Sequence, residues 1–427
     1  MKLTRRSFLA TTTASLVMPA IARAQGAPVD LSIQFVSPGV NKDLFAEISR
    51  QFMAKHQNVN IVVRAPEEEY EGLLQNNLRA AITRSLPDIA FHGLNRQRTL
   101  LERDIPVDLA PFLKADAETD SLGYSDNLLS LGRIGGKQIG IGFELSTPVF
   151  YYNLDLVRKA GGDPDALPKT WDELIKLAAA INALGGDVRG LFFDWTITGN
   201  WSWQSLVLSH GGTMTTPDES RVAFGDAPGR AAIAVLRSMV DDGRMPNLRP
   251  ETARSDFITG RLGIIMQSTA QLGRYNREIG GRFPLKCGRF PLASSSARLP
   301  AGGNAAMMFT RDAARQKLAW EFIKLATGPV GATLMVNATG YFPGTTIPAT
   351  REDMLAKFYR DNPNHLVGVS QQDVITGWYA FPGQNALKIT DVINDGLQTV
   401  VSRERTAEAA MDAIVTDVQS LLPRQRS

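Results

Sequence analysis

Short apolar runs alternate along the chain with stretches where apolar residues recur every three or four positions. These two periods separate strands from helices. LSIQFVS (31–37) reads as a strand. From Asn41 to His56 the apolar residues Leu44, Phe45, Ile48, Phe52 and Met53 fall on one helical stripe. VNIVVRA (59–65) is a second strand, Tyr70 to Thr83 a second helix, and PDIAFHG (87–93) a third strand. A β-α-β-α-β order predicts a parallel or mixed sheet with helices on its faces. Ligands of such sheets sit beyond the carboxyl ends of the strands, so Ser37, Pro38, Gly39, Phe91, His92 and Gly93 lie near a possible site.

The pattern then shifts. Gly132 to Gly142 is glycine-rich, and ELSTPVFYYN (144–153) follows, with TPVFYYN as a strand and Leu154–Ala160 as a short helix. KTWDELIKLAAAINALGG (169–186) opens on a capping box, Thr170 and Glu173, and stops at Gly185-Gly186. Further helices are expected at 229–241, 313–327, about 389–402 and 406–422, and strands at 263–267 and 305–310. Glycine-bounded strands near 138–143 and 263–267 look like crossings between two α/β lobes. More than one crossover predicts hinge closure around a ligand in the cleft. The expected division is 25–143 plus 264–326 for one lobe and 144–263 plus 327–427 for the other.

The N-terminus, MKLTRRSFLATTTASLVMPAIARAQG, places Lys2, Arg5 and Arg6 before a short apolar stretch and Ala22-Arg23-Ala24 before Gln25. That reads as a signal peptide, residues 1–24, with a small-x-small cleavage site near Ala24. Its apolar stretch falls well below the roughly 20 residues of a spanning helix. Arg5-Arg6 ahead of Ser7-Phe8-Leu9 resembles a twin-arginine export signal, which implies a periplasmic destination. The segment holds four basic residues and no acidic one, and without it the chain has 42 basic against 43 acidic residues. Bulk attraction to nucleic acid or to an anionic membrane is therefore not expected. Cys287 is the sole cysteine, which excludes an intramolecular disulfide; about 400 remaining residues make two self-sufficient cores the default.

Catalytic signatures are missing. There is no G-x-S-x-G, no H-E-x-x-H and no phosphate loop; GGKQIG near 135 lacks the Ser or Thr after its Lys. Four histidines, His56, His92, His210 and His365, stand at unrelated spacings, so a histidine-rich metal site is not expected. Neither metal nor cofactor is predicted. Carboxylate pairs that meet only in space stay open, and with them a secreted carbohydrate-active hydrolase or lyase. Aromatic placement says more. Trp195, Trp201 and Trp203 cluster in DWTITGNWSWQS, Tyr341-Phe342 lie in TGYFPG, and Trp378-Tyr379 and Phe381 lie in TGWYAFPG. Flat rings beside hydroxyls and amides suit a sugar or polyol, whose C–H face stacks while its hydroxyls hydrogen-bond; covering lobe edges is the other role open to these rings.

Several segments in order carry a resemblance: ELSTPVFYYNLDLVRKAGGDP with LPKTWDEL, FITGRLGIIMQSTAQL, PAGGNAAMMF, TGYFPGTT and KITDVINDGLQTVV. Across the chain beyond the signal, these resemble the extracellular solute-binding proteins of ABC importers, in the branch with glycerol-3-phosphate-binding and sugar-binding members. The resemblance implies two α/β lobes, a hinge, a ligand in the cleft, and delivery by a monomer to a membrane permease. Residue by residue it points to Tyr70, Ser146, Ser268 or Thr269, Gly303 of the Gly302-Gly303 turn, and Tyr341. The acidic residue such members carry after the third strand has no evident counterpart in His92–Arg96, and their phosphate-type Arg aligns near Pro382. Glycerol 3-phosphate or a glycerophosphodiester then requires Arg96 or Lys388 to substitute. The ligand-contacting set expected is Tyr70, His92, Glu144, Ser146, Trp201, Ser268, Gly303 and Tyr341, around an uncharged carbohydrate or polyol. Glu144 either accepts from a ligand hydroxyl or faces solvent at the hinge.

Overall fold

The computed structural model describes residues 28–423. The expected signal peptide, 1–24, lies outside the described residues. The chain opens with β1 (Val29–Gln34), α1 (Pro38–Lys55), β2 (Val59–Val63), α2 (Tyr70–Ile82), β3 (Ile89–Gly93) and α3 (Gln97–Glu102). It continues through β4 (Ile141–Ser146), β5 (Pro148–Asn153), α4 (Trp171–Asn182), β6 (Arg189–Phe193), α5 (Trp201–Ser209), α6 (Ala227–Asp241) and α7 (Pro250–Ile258). Then come β7 (Leu262–Ser268), β8 (Leu285–Arg289), β9 (Gly302–Met308), α8 (Ala313–Thr327), α9 (Pro329–Ala338), β10 (Phe342–Pro343), α10 (Ala386–Val401) and α11 (Ala407–Leu421).

Two sheets divide these strands. The six-stranded sheet has the order β10-β4-β9-β3-β1-β2, with β1 parallel to β2 and β3 and with β9 antiparallel to β3 and β4. The four-stranded sheet has the order β8-β5-β7-β6. Both are mixed and covered by helices, as the alternating pattern demands. The capping box at α4 is formed: Thr170 Oγ1 accepts from Glu173 N at 3.3 Å, and Glu173 Oε2 accepts from Thr170 N at 3.1 Å.

The core of the first lobe centres on Phe45, whose ring lies 4.3 Å from Phe35 and 4.5 Å from Phe91 between centroids. Each such buried ring removes enough apolar surface from water to stabilise the lobe by about 1.5–3 kcal/mol. The second lobe buries Phe150, Tyr151, Trp171 and Phe290 against α4 and α6 residues. A smaller cluster, with Leu145, Trp201, Ala301, Phe342 and Trp378, joins the two.

The sheets divide the chain differently from the expected lobe boundaries. Strand β7 lies wholly in the four-stranded sheet, with Ile265 opposite Tyr151, so 263–267 is not a crossing. The first sheet resumes only at Gly302. Residues 144–146 close β4 of the first sheet, and the crossing falls on Thr147 alone, between β4 and β5. Residues 327–343 also join the first sheet's side, because α9 packs on α1 and α8 while β10 pairs with β4. The physical reason is that β4, β5 and most of β7 are buried on both faces. A strand without alternation carries no mark of which sheet it joins.

Candidate functional site

Between the lobes lies a cleft of about 550 Å³. Strand ends build it. From the first lobe come Tyr70 and Glu71 at the start of α2, Asn95 and Arg96 just past β3, Ser146 at the end of β4 and Gly302-Gly303 at the start of antiparallel β9. The second lobe contributes Asp194, Thr196 and Thr198 past β6, Trp201 opening α5, Glu251 and Arg254 of α7, and Gln267 and Ser268 ending β7. Tyr341 and Trp378 complete the lining. This is the position that open α/β sheets reserve for ligands.

The first-lobe wall is built on a hydrogen-bonded chain. Glu144 sits on the same face of β4 as Ser146, two residues back, and is 1% exposed. Its Oε2 accepts from Asn304 Nδ2 at 2.5 Å and from Asn41 Nδ2 at 3.4 Å. Asn304 Nδ2 also donates to the Tyr70 hydroxyl at 3.2 Å, and Tyr70 and Tyr341 both line the cleft. Among the described residues no cation pairs with Glu144, so burial pushes its carboxyl up to about 7, only partly opposed by the amides of Asn304 and Asn41. Glu144 thus supports Tyr70 from behind. It neither lines the cleft nor faces solvent.

Gly302 and Gly303 are dictated by contact. A Cβ on Gly302 would meet Ser146 Oγ at 2.6 Å. At Gly303 φ is +98°, and a Cβ would fall 1.8 Å from the Glu144 carbonyl oxygen. Only glycine lets β9 come this close to β4 and leaves backbone exposed to the cleft.

Asp194 anchors the second-lobe wall. Its Oδ2 accepts from Gln267 Nε2 at 2.6 Å and its Oδ1 from Thr196 Oγ1 at 2.8 Å. Burial raises its pKa, and these hydrogen bonds work the other way. Two ion pairs also line the cleft: Arg96 Nη2 to Glu71 Oε2 and Arg254 Nη2 to Glu251 Oε1, each at 3.1 Å.

The structure brings Tyr70, Ser146, Trp201, Ser268, Gly303 and Tyr341 together around this cleft. It does not bring in His92. That residue is fully buried on β3, where Asn77 Nδ2 lies 3.1 Å from its Nε2 and Phe309 packs against the ring. Burial, with Arg96 adding to it, lowers its pKa to about 3, so it stays neutral and structural. Lys388 is exposed on α10 and does not line the cleft, whereas Arg96 does. Trp201 forms wall more than platform: it is 1% exposed, and its Nε1 donates to Pro300 O at 3.0 Å. Trp195 and Trp203 belong to the second-lobe core. The second half of DWTITGNWSWQS opens α5, whose hydroxyls turn inward; Ser205 Oγ donates to Trp201 O at 2.8 Å. Asp194, Gln267, Glu71 and Arg254 are cleft residues that the sequence reading missed. Asp194 directly follows the apolar run LFF, and the strand-end rule applied there would have found it.

Comparison with known proteins places this geometry. A family model described as bacterial extracellular solute-binding protein matches residues 47–364. The chain belongs to that family. As a solute-binding protein it is 25% identical over 295 residues to the sn-glycerol-3-phosphate-binding periplasmic protein UgpB of Pectobacterium atrosepticum, a stretch covering 66% of each chain and so just under two thirds of the relative. Among solved structures, the cyclic alpha-maltosyl-1,6-maltose binding protein of Arthrobacter globiformis superposes with a TM-score of 0.78 at 23% identity, covering 92% of this chain and 99% of that one. UgpB of Mycobacterium tuberculosis in complex with glycerophosphocholine gives a TM-score of 0.78 at 20% identity, covering 92% and 98%. The expected two-lobed binding-protein fold is thereby borne out. Among the described residues no helix is long and apolar enough to cross a membrane, and no group of three or more His, Cys, Asp or Glu could hold a metal ion.

Proposed function

We propose that this solute-binding protein captures an uncharged carbohydrate or polyol between its lobes and delivers it to the permease of an ABC importer. The carrying observation is the cleft lining: hydroxyl, amide and carboxylate groups converge from both lobes, and both guanidiniums are already paired with carboxylates. Such groups can donate to and accept from several ligand hydroxyls at once, while Trp201 and Trp378 supply apolar wall. The protein binds and releases its ligand without changing it, acts as a monomer, and reaches the periplasm after cleavage near Ala24.

A second reading, glycerol 3-phosphate or a glycerophosphodiester, draws on Arg96 and Arg254 in the cleft and on the relatives' names. A calorimetric screen of sugars, polyols and glycerophosphodiesters on the purified mature chain decides between them. Tight binding of a neutral sugar or polyol supports the first reading. Binding only of phosphate-bearing compounds favours the second, and binding only of amino acids or peptides overturns both. Recovery of the ligand chemically altered would instead indicate a hydrolase or lyase.

A further inference from the structure

The charge pattern of the cleft carries more than a general preference for hydroxyls. Its lining includes four carboxylates, Glu69, Glu71, Asp194 and Glu251, and two guanidiniums, Arg96 and Arg254, with no lysine. Arg96 is the cation of the first-lobe wall. Its side chain is 12% exposed, its Nη2 meets Glu71 Oε2 at 3.1 Å, and its Nε is buried without a protein partner. Glu71 Oε1 is held in turn by Gln75 Nε2 at 3.0 Å, which fixes the carboxylate on the first turn of α2.

Resting on the solute-binding reading, we infer that Glu71 is a specificity-determining residue: by neutralising Arg96 in the cleft wall it excludes phosphate monoesters and admits uncharged hydroxylated solutes. A phosphate recruits arginine through two parallel charge-assisted hydrogen bonds. Here it would have to displace Glu71 and leave that carboxylate unpaired beside a second anion. Discrimination against a wrong partner is built in this way, from repulsion and unpaired charge as much as from attraction. A hydroxyl group faces no such conflict. It can donate to a cleft carboxylate, or accept from a cleft donor, while the ion pair stays closed. On the opposite wall Arg254 and Glu251 repeat the arrangement, so neither lobe presents an uncompensated cation.

Glu71 also sits where a helix dipole favours a negative charge, which would be a purely structural reason for its presence. The test separates the two. Wild type, Glu71→Gln, Glu71→Ala and the double variant Glu71→Gln/Arg96→Met are titrated calorimetrically with sn-glycerol 3-phosphate and with inorganic phosphate, and their thermal midpoints are measured alongside. Either single variant should bind sn-glycerol 3-phosphate at least about tenfold more tightly than wild type, with a gain that weakens in salt. The double variant should lose the gain. Folded single variants that bind it no better than wild type overturn the inference, as does wild type that already binds it as tightly as they do. The preceding reading fails separately, if no neutral sugar or polyol binds wild type in the screen.

Discussion

Arg98 of α3 and Glu219 of the second lobe face each other in a bidentate ion pair, with Nη1–Oε1 and Nη2–Oε2 both at 2.5 Å. The pair joins the lobes away from the covalent crossings, and the Tyr379 hydroxyl reinforces it by donating to Glu219 Oε1 at 3.1 Å. Glu219 itself holds φ at +56°, a conformation non-glycine residues adopt only when neighbours hold them there. Because neither residue lines the cleft, Arg98→Met should act on the balance between lobe arrangements and not on ligand chemistry. Affinities for every ligand should shift by one common factor, about threefold to tenfold, and the factor should shrink at high salt. Calorimetry on two chemically different ligands checks this; an effect confined to one of them contradicts it.

Gly303→Ala should be severely destabilising. Its backbone φ of +98° disfavours any side chain, and the 1.8 Å approach to the Glu144 carbonyl cannot be relieved without parting β9 from β4. A loss of about 3 kcal/mol or more is expected, measured by denaturant unfolding. Gly136→Ala is the control: φ is +78° but nothing lies within 4 Å, so about 1 kcal/mol is expected.

Stability should depend on pH through Glu144. Its carboxyl titrates at about 7 in the folded chain against an ordinary 4.5. The folded state therefore holds the proton more tightly. The associated stability is fully present below about 4.5, is lost as pH rises toward 7, and is gone above that, at a ceiling of about 3 kcal/mol. Glu144→Gln keeps the shape without the charge. Its stability relative to wild type should climb between pH 4.5 and pH 7 and level off above, read from urea midpoints at matched ionic strength. A difference that stays flat across this range would exclude the mechanism.

Removal of the cleft hydroxyls should weaken binding without unfolding. Tyr70→Phe and Tyr341→Phe each delete one hydroxyl of the cleft lining, that of Tyr70 bonded to Asn304. Each should cost about 0.5–1.5 kcal/mol of affinity for the screened ligand, with a near-unchanged melting midpoint.

Cys287 should behave as an inert thiol. It is buried on β8, and burial pushes its pKa far up, so thiolate is scarce. Ellman's reagent should label it only once denaturant unfolds the second lobe; rapid labelling of the native protein would contradict the buried placement.

Much of this architecture was legible in the sequence where one face of an element meets solvent. The stripe at 313–327 gives α8 to the residue, and Thr170 with Glu173 marks the start of α4. The lobe boundaries were less accessible, because β4, β5 and most of β7 are buried on both faces and advertise no partner sheet. At the site, Tyr70, Ser146 and Gly303 came through the family resemblance, yet no periodicity betrays that Glu144 props up Tyr70 through Asn304, 160 residues away. His92 misled for a simple reason. A residue one place short of a strand's end points to whichever face the pleat gives it, and here that face is covered by α2. The tryptophans misled in the opposite way: small polar neighbours suggested rings facing a ligand, while the serines of α5 are buried, Ser205 and Ser209 donating to carbonyls of the helix itself and Ser202 to Asp194 O.

Thr147 is the one residue between β4 and β5, and it is pinned on several sides. Its amide donates to Thr269 Oγ1 at 3.3 Å, its carbonyl accepts from Thr269 N at 3.1 Å, and its hydroxyl accepts from Gln371 Nε2 at 2.8 Å. A single residue between two sheets leaves no slack in the spacing. One residue inserted or deleted there would turn over every side chain of β5, exchanging the faces that Phe150 and Tyr151 present to their neighbours. This joint therefore tolerates change of side chain but not of length, and surface loops elsewhere, not this junction, are where the chain can grow.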